Sequence, residues 1–222
     1  MTESEARYEL AGRALSYVGT EEGSSLHHWL VDQYNKIKPL PRGYAVKYSD
    51  PWCAMFVSVM AKLSGMLDII PAECGCGEMV RAFQKMKCWE ERDDHRPEIG
   101  DICFYDWQDT GSGDCTGEPD HVGIVTKVYD NTFVVTEGNY KDRVGNREVV
   151  MNGVNIRGFG IPDYAGWAAR LGDESGVAIW ALEARKWAMD AGITDGKRPT
   201  EKITRQEVWT MLYRLYNNYF KE

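Results

Sequence analysis

This chain predicts an α+β fold, with helices packed on an antiparallel sheet and a small helix–loop–helix module after it. Three observations carry that reading. Apolar side chains recur at helical spacing through about the first 85 residues. After Pro97 the pattern changes to short β-rich runs parted by turn residues, and past Gly176 it returns to two helical stretches around a turn-rich loop. Helices followed by a run of strands is the order of an α+β domain, not of alternating βαβ units.

Taken in order, Ala6, Leu10, Ala11, Ala14, Leu15 and Val18 predict a helix over 6–18, closed by Gly19. A second helix is expected from Ser25 to Ile37, ended by Pro39-Leu40-Pro41-Arg42-Gly43. Asp50 is a good N-cap and Pro51 suits a first helical position, so a third helix should run from there to Leu63, before Gly65. A short helix is expected over Cys76–Lys85. Strands are expected at Ile99–Tyr105, His121–Tyr129, Thr132–Thr136, 147–151 and 154–160, with a turn at Asp130-Asn131. Pro162–Gly176 reads as linker. Helices over Ala178–Ala191 and Thr204–Phe220 then flank a loop at Gly192–Thr200. The expected organisation is therefore a domain over 1–165, a linker over 166–176 and a module over 177–222, the last too small for a large core of its own.

Composition excludes several classes. Hydrophobic residues make up 43% and charged residues 27% of the 222, a globular balance that rules out wholesale disorder. The net charge is −8, and residues 173–222 balance to zero, so the whole excess lies in the first 172. Binding to nucleic acid through bulk charge is not expected. No run approaches the roughly 20 apolar residues that span a bilayer, so no membrane association is expected. The acidic start Met1-Thr2-Glu3-Ser4-Glu5 has no apolar secretion core, so no signal peptide is read and a cytosolic chain is expected. The six cysteines, at 53, 74, 76, 88, 103 and 115, are then read as thiols. No CxxC pair occurs, and Cys74-Gly75-Cys76 is read as structural rather than metal-binding.

Cys53 stands out because its place in the first turn of a helix favours a thiolate, and the unpaired N–H groups there can stabilise an oxyanion. Its plain alternative is a buried thiol. His121 opens a strand after a polar loop, where an imidazole can reach a cleft and act as base and acid for a thiol. His27, His28 and His95 lie in polar sequence and are read as incidental. An orienting group is sought at Glu137 and Asn139, in Thr136-Glu137-Gly138-Asn139-Tyr140. A two-residue turn at Asp130-Asn131 pairs 121 with 140 and puts both on the wrong face. A catalytic arrangement therefore needs an odd-length hairpin loop or a bulge.

Asp50-Pro51-Trp52-Cys53-Ala54-Met55-Phe56-Val57-Ser58 resembles the nucleophile segment of the CHAP family of cysteine peptidoglycan hydrolases. Gly100-Asp101-Ile102, His121-Val122-Gly123-Ile124-Val125 and Glu137-Gly138-Asn139 fall in that family's order, and Tyr17–Gly23 is similar to how such phage domains begin. The resemblance covers about residues 6–165. It implies a compact papain-like fold and cleavage of an amide bond in peptidoglycan, with Cys53 as nucleophile, His121 as base, Glu137 as orienting residue and Asn139 assisting. Some members bind calcium through clustered Asp residues; Glu21, Glu22 and Asp32 do not form that pattern, so neither metal nor cofactor is expected. The loop 108–120, with Asp109, Asp114, Glu118 and Asp120, is read as solvated, with a substrate rim or weak ion site as the alternative.

The tail resembles a single S-layer-homology repeat through Ala184–Ala188, Gly192–Gly196 and Ile203-Thr204-Arg205-Gln206-Glu207-Val208. That resemblance implies binding of a secondary cell-wall polysaccharide by Thr204, Arg205 and Glu207, Arg205 offering a guanidinium fork to acidic groups. Thr204 and Glu207 also read as a capping box. Met211, Leu212, Leu215, Tyr216 and Tyr219 form a stripe that packs either on the first domain or on another copy in a homo-oligomer. The combined expectation is a phage-type endolysin, held in the host cytoplasm until lysis and then acting on the wall. The rival readings are a non-catalytic wall-binding or virion module and a thiol isopeptidase acting on proteins.

Overall fold

The computed structural model describes residues 1–92, 94–111, 116–173, 179–197 and 202–220. Their elements are α1 (Glu3–Leu15), α2 (Ser25–Asn35), α3 (Cys53–Leu63), α4 (Cys76–Lys85), β1 (Trp89–Glu90), β2 (Ile102–Tyr105), β3 (His121–Val128), β4 (Thr132–Glu137), β5 (Gly145–Val150), β6 (Ile156–Gly160), α5 (Tyr164–Asp173), α6 (Ile179–Asp190) and α7 (Arg205–Tyr219). The strands form one antiparallel sheet in the order β1-β6-β2-β3-β4-β5. The architecture is α+β, as the sequence predicts. Two compact units divide the chain, Thr2–Trp167 and Ala168–Glu222.

In the first unit, Thr2 and Glu5 close a capping box at the start of α1, which buries Ala6, Leu10, Ala11 and Ala14. The helix thus begins before the expected Ala6 and stops at Leu15, not at Gly19. Its Arg7 reaches across to Asp101 Oδ1 at 2.9 Å, and the other Asp101 oxygen accepts the Glu98 N–H, so α1 is tied to the approach to β2. The α3 helix buries every residue from Cys53 to Ala61, and it packs against α1, α2, α4, β3 and β4. A helix apolar on all sides is a core helix, and its N-terminal residue is held as firmly as the core.

The start of α3 differs from expectation. Asp50 is not its cap: the carboxylate accepts the Lys47 N–H and the Tyr44 hydroxyl, each at 2.8 Å, and closes a turn. Trp52 is the N-cap, Cys53 is the first helical residue, and the first ladder bond runs from Phe56 N–H to Trp52 C=O.

The hairpin β3–β4 resolves the parity question. Its tip is the two-residue turn at Asp130-Asn131, with Tyr129 N–H bonded to Thr132 C=O. Near the tip Val128 pairs with Phe133 and Lys127 with Val134, but beyond Thr126 the register shifts, so that Val125 pairs with Val135 and Ile124 with Thr136. Thr126 is the extra residue of a β-bulge, its hydroxyl bonded to Thr136 Oγ1 at 3.0 Å. One inserted residue restores the parity that puts His121 and Glu137 on one face. That face carries the core cluster of Cys103, Tyr105, Val125, Phe133, Val135, Val149, Ile156 and Phe159.

The second correction concerns 162–176. Residues 164–173 form α5, whose first turn is anchored by the Tyr164 hydroxyl on Gly100 C=O (2.7 Å) and by Trp167 Nε1 on Gly65 C=O (3.3 Å). Residues 174–176 of the expected linker, with 177 and 178, lie outside the described residues. In the second unit α6 and α7 match the expected helices closely, and Thr204 with Glu207 closes the capping box of α7. On α7, Leu212, Tyr216 and Tyr219 are exposed, as are Trp209 and Tyr213, while Met211 and Leu215 are half-buried.

Candidate active site

Three elements converge on Cys53. The α3 helix supplies the thiol, β3 supplies His121 at its first position, and β4 supplies Glu137 at its last. Pairing of Tyr105 with His121 and of Val135 with Arg147 brings β2 and β5 to the same end of the sheet. The Nε2 atom of His121 lies 3.0 Å from Glu137 Oε2. The ring and the Cys53 thiol also act on each other electrostatically, each favouring the charged form of the other. The carboxylate of Glu137 is fully buried and is gripped by a guanidinium fork, Arg147 Nε to Oε1 at 2.7 Å and Nη2 to Oε2 at 3.0 Å. Arg147 is in turn surrounded by aromatic rings, 5.4 Å from the centroid of Tyr105, 5.0 Å from Trp107 and 4.8 Å from Tyr140.

The electrostatics follow from these contacts. Donation from the Cys76 thiol pulls the Cys53 thiol well below its ordinary range against the cost of burial, and the His121 imidazole and the N-terminus of α3 act the same way. Burial works to lower the His121 pKa, but the Cys53 sulfur and Glu137 outweigh it and raise the value to about 9. Burial likewise opposes the charge on Glu137, and its bonds to His121 and Arg147 hold it below the usual carboxylate range nonetheless. The arrangement is a thiolate–imidazolium pair with a fixed carboxylate behind it. Cys53, Ala54 and Met55 N–H groups precede the first ladder bond of α3, beside the sulfur, where a developing oxyanion would sit.

The expected residues are therefore placed unequally. Cys53, His121 and Glu137 come together. Asn139 sits just past β4 with φ 56° and lines the same opening as Trp107, His121, Tyr140 and Arg147, yet among the described residues its side chain bonds neither His121 nor Glu137. In the second unit, Thr204 and Glu207 are occupied with each other, and Arg205 is exposed at the first helical position of α7.

Other histidines correct the reading of polar surroundings. His27 is fully buried, accepts the Gly23 N–H at 3.1 Å and packs on Trp52 at 4.7 Å between rings, beside Cys53. His28 stacks on Tyr48 at 4.0 Å, and His95 packs on Phe159 at 5.2 Å. Glu22 accepts from Trp52 Nε1 (2.9 Å) and Asp32 from the Tyr48 hydroxyl (3.0 Å). In the loop 108–120, Asp114 and Cys115 lie outside the described residues. Asp109, Glu118 and Asp120 bond Gly111 N–H, Arg81 and Trp107 N–H in turn. Among the described residues no group of three or more His, Cys, Asp or Glu is arranged to hold a metal ion.

Two partners in the site escape sequence reasoning. Arg147 lies ten residues beyond the carboxylate it grips, and only the β4–β5 register brings it back. Cys76 reaches Cys53 across the gap between two helix starts.

A buried thiol at a helix start, an imidazole and a carboxylate, set on an α+β scaffold, define the equipment of a papain-like thiol hydrolase. Residues 43–139 match the CHAP domain family, whose members are typically peptidoglycan hydrolases. The matched segment is less than half of the chain; it begins just before α3 and ends at Asn139, so it contains Cys53, His121 and Glu137. Comparison with curated proteins and with solved structures gives no match.

Proposed function

We propose that the first unit is a cysteine amidase or endopeptidase of peptidoglycan, and that the chain acts as a phage endolysin. The observation that carries the reading is the Cys53–His121–Glu137 line, inside a segment similar to CHAP domains. In the proposed reaction the Cys53 thiolate attacks the carbonyl carbon of a wall amide. The oxyanion is stabilised by N–H groups at the start of α3. His121 gives its proton to the leaving amine, which departs as a thioester forms on Cys53. His121 then takes a proton from water, the hydroxide attacks the thioester, and the acid leaves with the thiolate restored. Glu137, gripped by Arg147, keeps the imidazole in the tautomer and orientation this sequence needs.

For the second unit, the proposal is a wall-targeting role. A concave surface there is lined by Thr204 with the cations Lys197, Lys202 and Arg214 and the carboxylates Asp195 and Glu207, so its cations can meet anionic groups of a wall polysaccharide. Arg205, exposed beside it, is the further cation the proposal assigns to that ligand. Storage in the host cytoplasm until lysis belongs to the same reading.

The test is the clearing of a bacterial wall suspension with analysis of the released fragments. Wild type should release new amino termini, and Cys53→Ala should keep its melting temperature while losing at least about 1,000-fold in rate. A variant that still clears walls at a tenth of the wild-type rate would exclude Cys53 as nucleophile.

A further inference from the structure

One thiol beside Cys53 makes and breaks no bond in the hydrolytic scheme. The sulfur of Cys76 lies 3.5 Å from that of Cys53. Each is the first residue of its helix, Cys53 of α3 and Cys76 of α4, so two helix N-termini converge on one pair of sulfurs. Cys53 is 6% exposed and Cys76 is half-buried at the rim, so a small oxidant can reach the pair from the Cys76 side. Cys74, two residues earlier, is turned to another partner, with Arg42 Nη2 3.4 Å from its sulfur. An acyl-transfer enzyme needs one sulfur. A second at this distance, besides donating to the first, is placed for a different reaction of it.

We propose that Cys53 and Cys76 form a redox modification site, in which Cys76 resolves peroxide-oxidised Cys53 as a reversible disulfide and so switches the thiol off without destroying it. The chemistry balances with a hydroperoxide as the oxidant. The Cys53 thiolate attacks one peroxide oxygen, the O–O bond breaks, hydroxide leaves and takes up a proton, and the sulfur becomes a sulfenic acid by loss of two electrons. The Cys76 thiol then loses its proton and attacks that sulfur. The S–S bond forms, the S–O bond breaks, and the oxygen departs as water. Two thiols and one peroxide give one disulfide and two waters. A disulfide bond is about 2.05 Å long, so the sulfurs must close by roughly 1.5 Å, within the swing of a side chain about χ1.

The order of the two steps is set by the same contacts. While Cys53 is a thiolate it holds the proton on Cys76, raising the Cys76 pKa far above the ordinary thiol range together with burial. Cys53 is therefore the sulfur that meets the oxidant. Once Cys53 is a neutral sulfenic acid, that hold is gone, and His121, having given its proton to the leaving hydroxide, is a neutral imidazole able to take the proton of Cys76.

The experiment is covalent and reads no hydrolysis, so it stands apart from the proposed activity. Full-length protein is treated with equimolar hydrogen peroxide, blocked with iodoacetamide and mapped by mass spectrometry without reduction. The expected product has lost two hydrogens and yields a Cys53–Cys76 linked peptide, which dithiothreitol returns to two thiols. Given about a tenfold excess of peroxide, since sulfinic acid takes two peroxides per thiol, Cys76→Ser and Cys76→Ala should instead accumulate sulfinic acid on Cys53 that dithiothreitol does not reverse, while Cys74→Ser should still form the link. Sulfinic Cys53 in wild type without the linked peptide, or a Cys74–Cys76 link in its place, overturns the proposal. The wild-type map decides even if a Cys76 variant fails to fold.

Discussion

Glu137 shows what it takes to keep a carboxylate charged inside a protein core. It is completely buried and would be neutral if it were alone, because desolvation of a carboxylate costs several kcal/mol. Arg147 and His121 share its two oxygens and keep it charged. Removing Arg147 leaves that charge with one partner, so Arg147→Met should lower stability by about 2–4 kcal/mol, somewhat less than a fully buried broken pair costs, since Arg147 is partly open to solvent. It should also lower kcat more than it raises KM, because the loss falls on the orientation of His121, and Arg147→Lys should restore only part, lacking the fork. Equal kcat in wild type and Arg147→Met would remove Arg147 from the site. The pH profile follows from the same contacts. Cys53 is a thiolate well below the usual thiol range, and His121 keeps its proton up to about 9. Alkylation of Cys53 by iodoacetamide should already be fast near pH 6.5. Hydrolysis should fall as pH rises through about 9, where the imidazolium that protonates the leaving amine is lost. A hydrolytic profile still rising at pH 10 would contradict the pair.

At the scale of the element, the hairpin β3–β4 is the part that the residue pattern specifies most closely. Parity requires an extra residue between His121 and Glu137; it does not say where. The structure places it at Thr126, where the hydroxyl finds Thr136. Deleting Thr126 should turn His121 away from Glu137 and abolish the fast alkylation of Cys53. Deleting Thr126 and inserting one glycine between Asp130 and Asn131 should bring it back, because the count between the two residues is odd again. Fast alkylation in the single deletion would mean that the bulge does not set the face. The same arithmetic explains what was legible. The limits of α4, the start of β3 and the capping box of α7 are in the sequence, because each depends on residues within a few positions of each other, whereas the order of thiol, imidazole and carboxylate is read from the resemblance. Asp50 misleads as a cap since its carboxylate closes its own turn first. Pro162–Gly176 reads as linker because Gly, Asp and Glu mask the spacing of Tyr164 and Trp167, whose burial is decided by distant Gly100 and Gly65. Arg147 and Cys76 depend on strand register and on where two helices start, and no local pattern records either.

Over the whole chain, the two units carry different charge and different surfaces. All of the net −8 lies before residue 173, and the remainder is balanced, with Lys197, Lys202 and Arg214 set among Asp195 and Glu207 on one concave surface. A chain ended at Asp173 should stay folded, since the sheet and α1 to α4 lie wholly before it. It should cleave small soluble wall fragments as fast as the full chain and lose at least about 10-fold on intact walls, where tethering raises the local concentration of enzyme. Arg205→Ala should reproduce part of that loss. Unfolding of the shortened chain in a thermal melt, or wall binding by Arg205→Ala equal to wild type, would end the targeting proposal, and sedimentation of both proteins reads whether the α7 stripe joins copies instead.

The fork between Arg147 and Glu137 has a further effect at long range. Thiolate, imidazolium, carboxylate and guanidinium are two negative and two positive charges within one cluster, so the site as a whole casts almost no field beyond itself. Dissolved salt, which weakens interactions over about 10 Å at 0.1 M, has little there to weaken. The approach of an acidic domain to an acidic wall is another matter. Raising ionic strength from about 0.01 to 0.1 M should leave turnover of a neutral wall fragment unchanged, while the shortened chain, which keeps all of the excess negative charge, attacks intact walls faster. Turnover of the neutral fragment that tracked salt as steeply as wall clearing would mean that the four charges do not cancel, and that one of them is missing from its place.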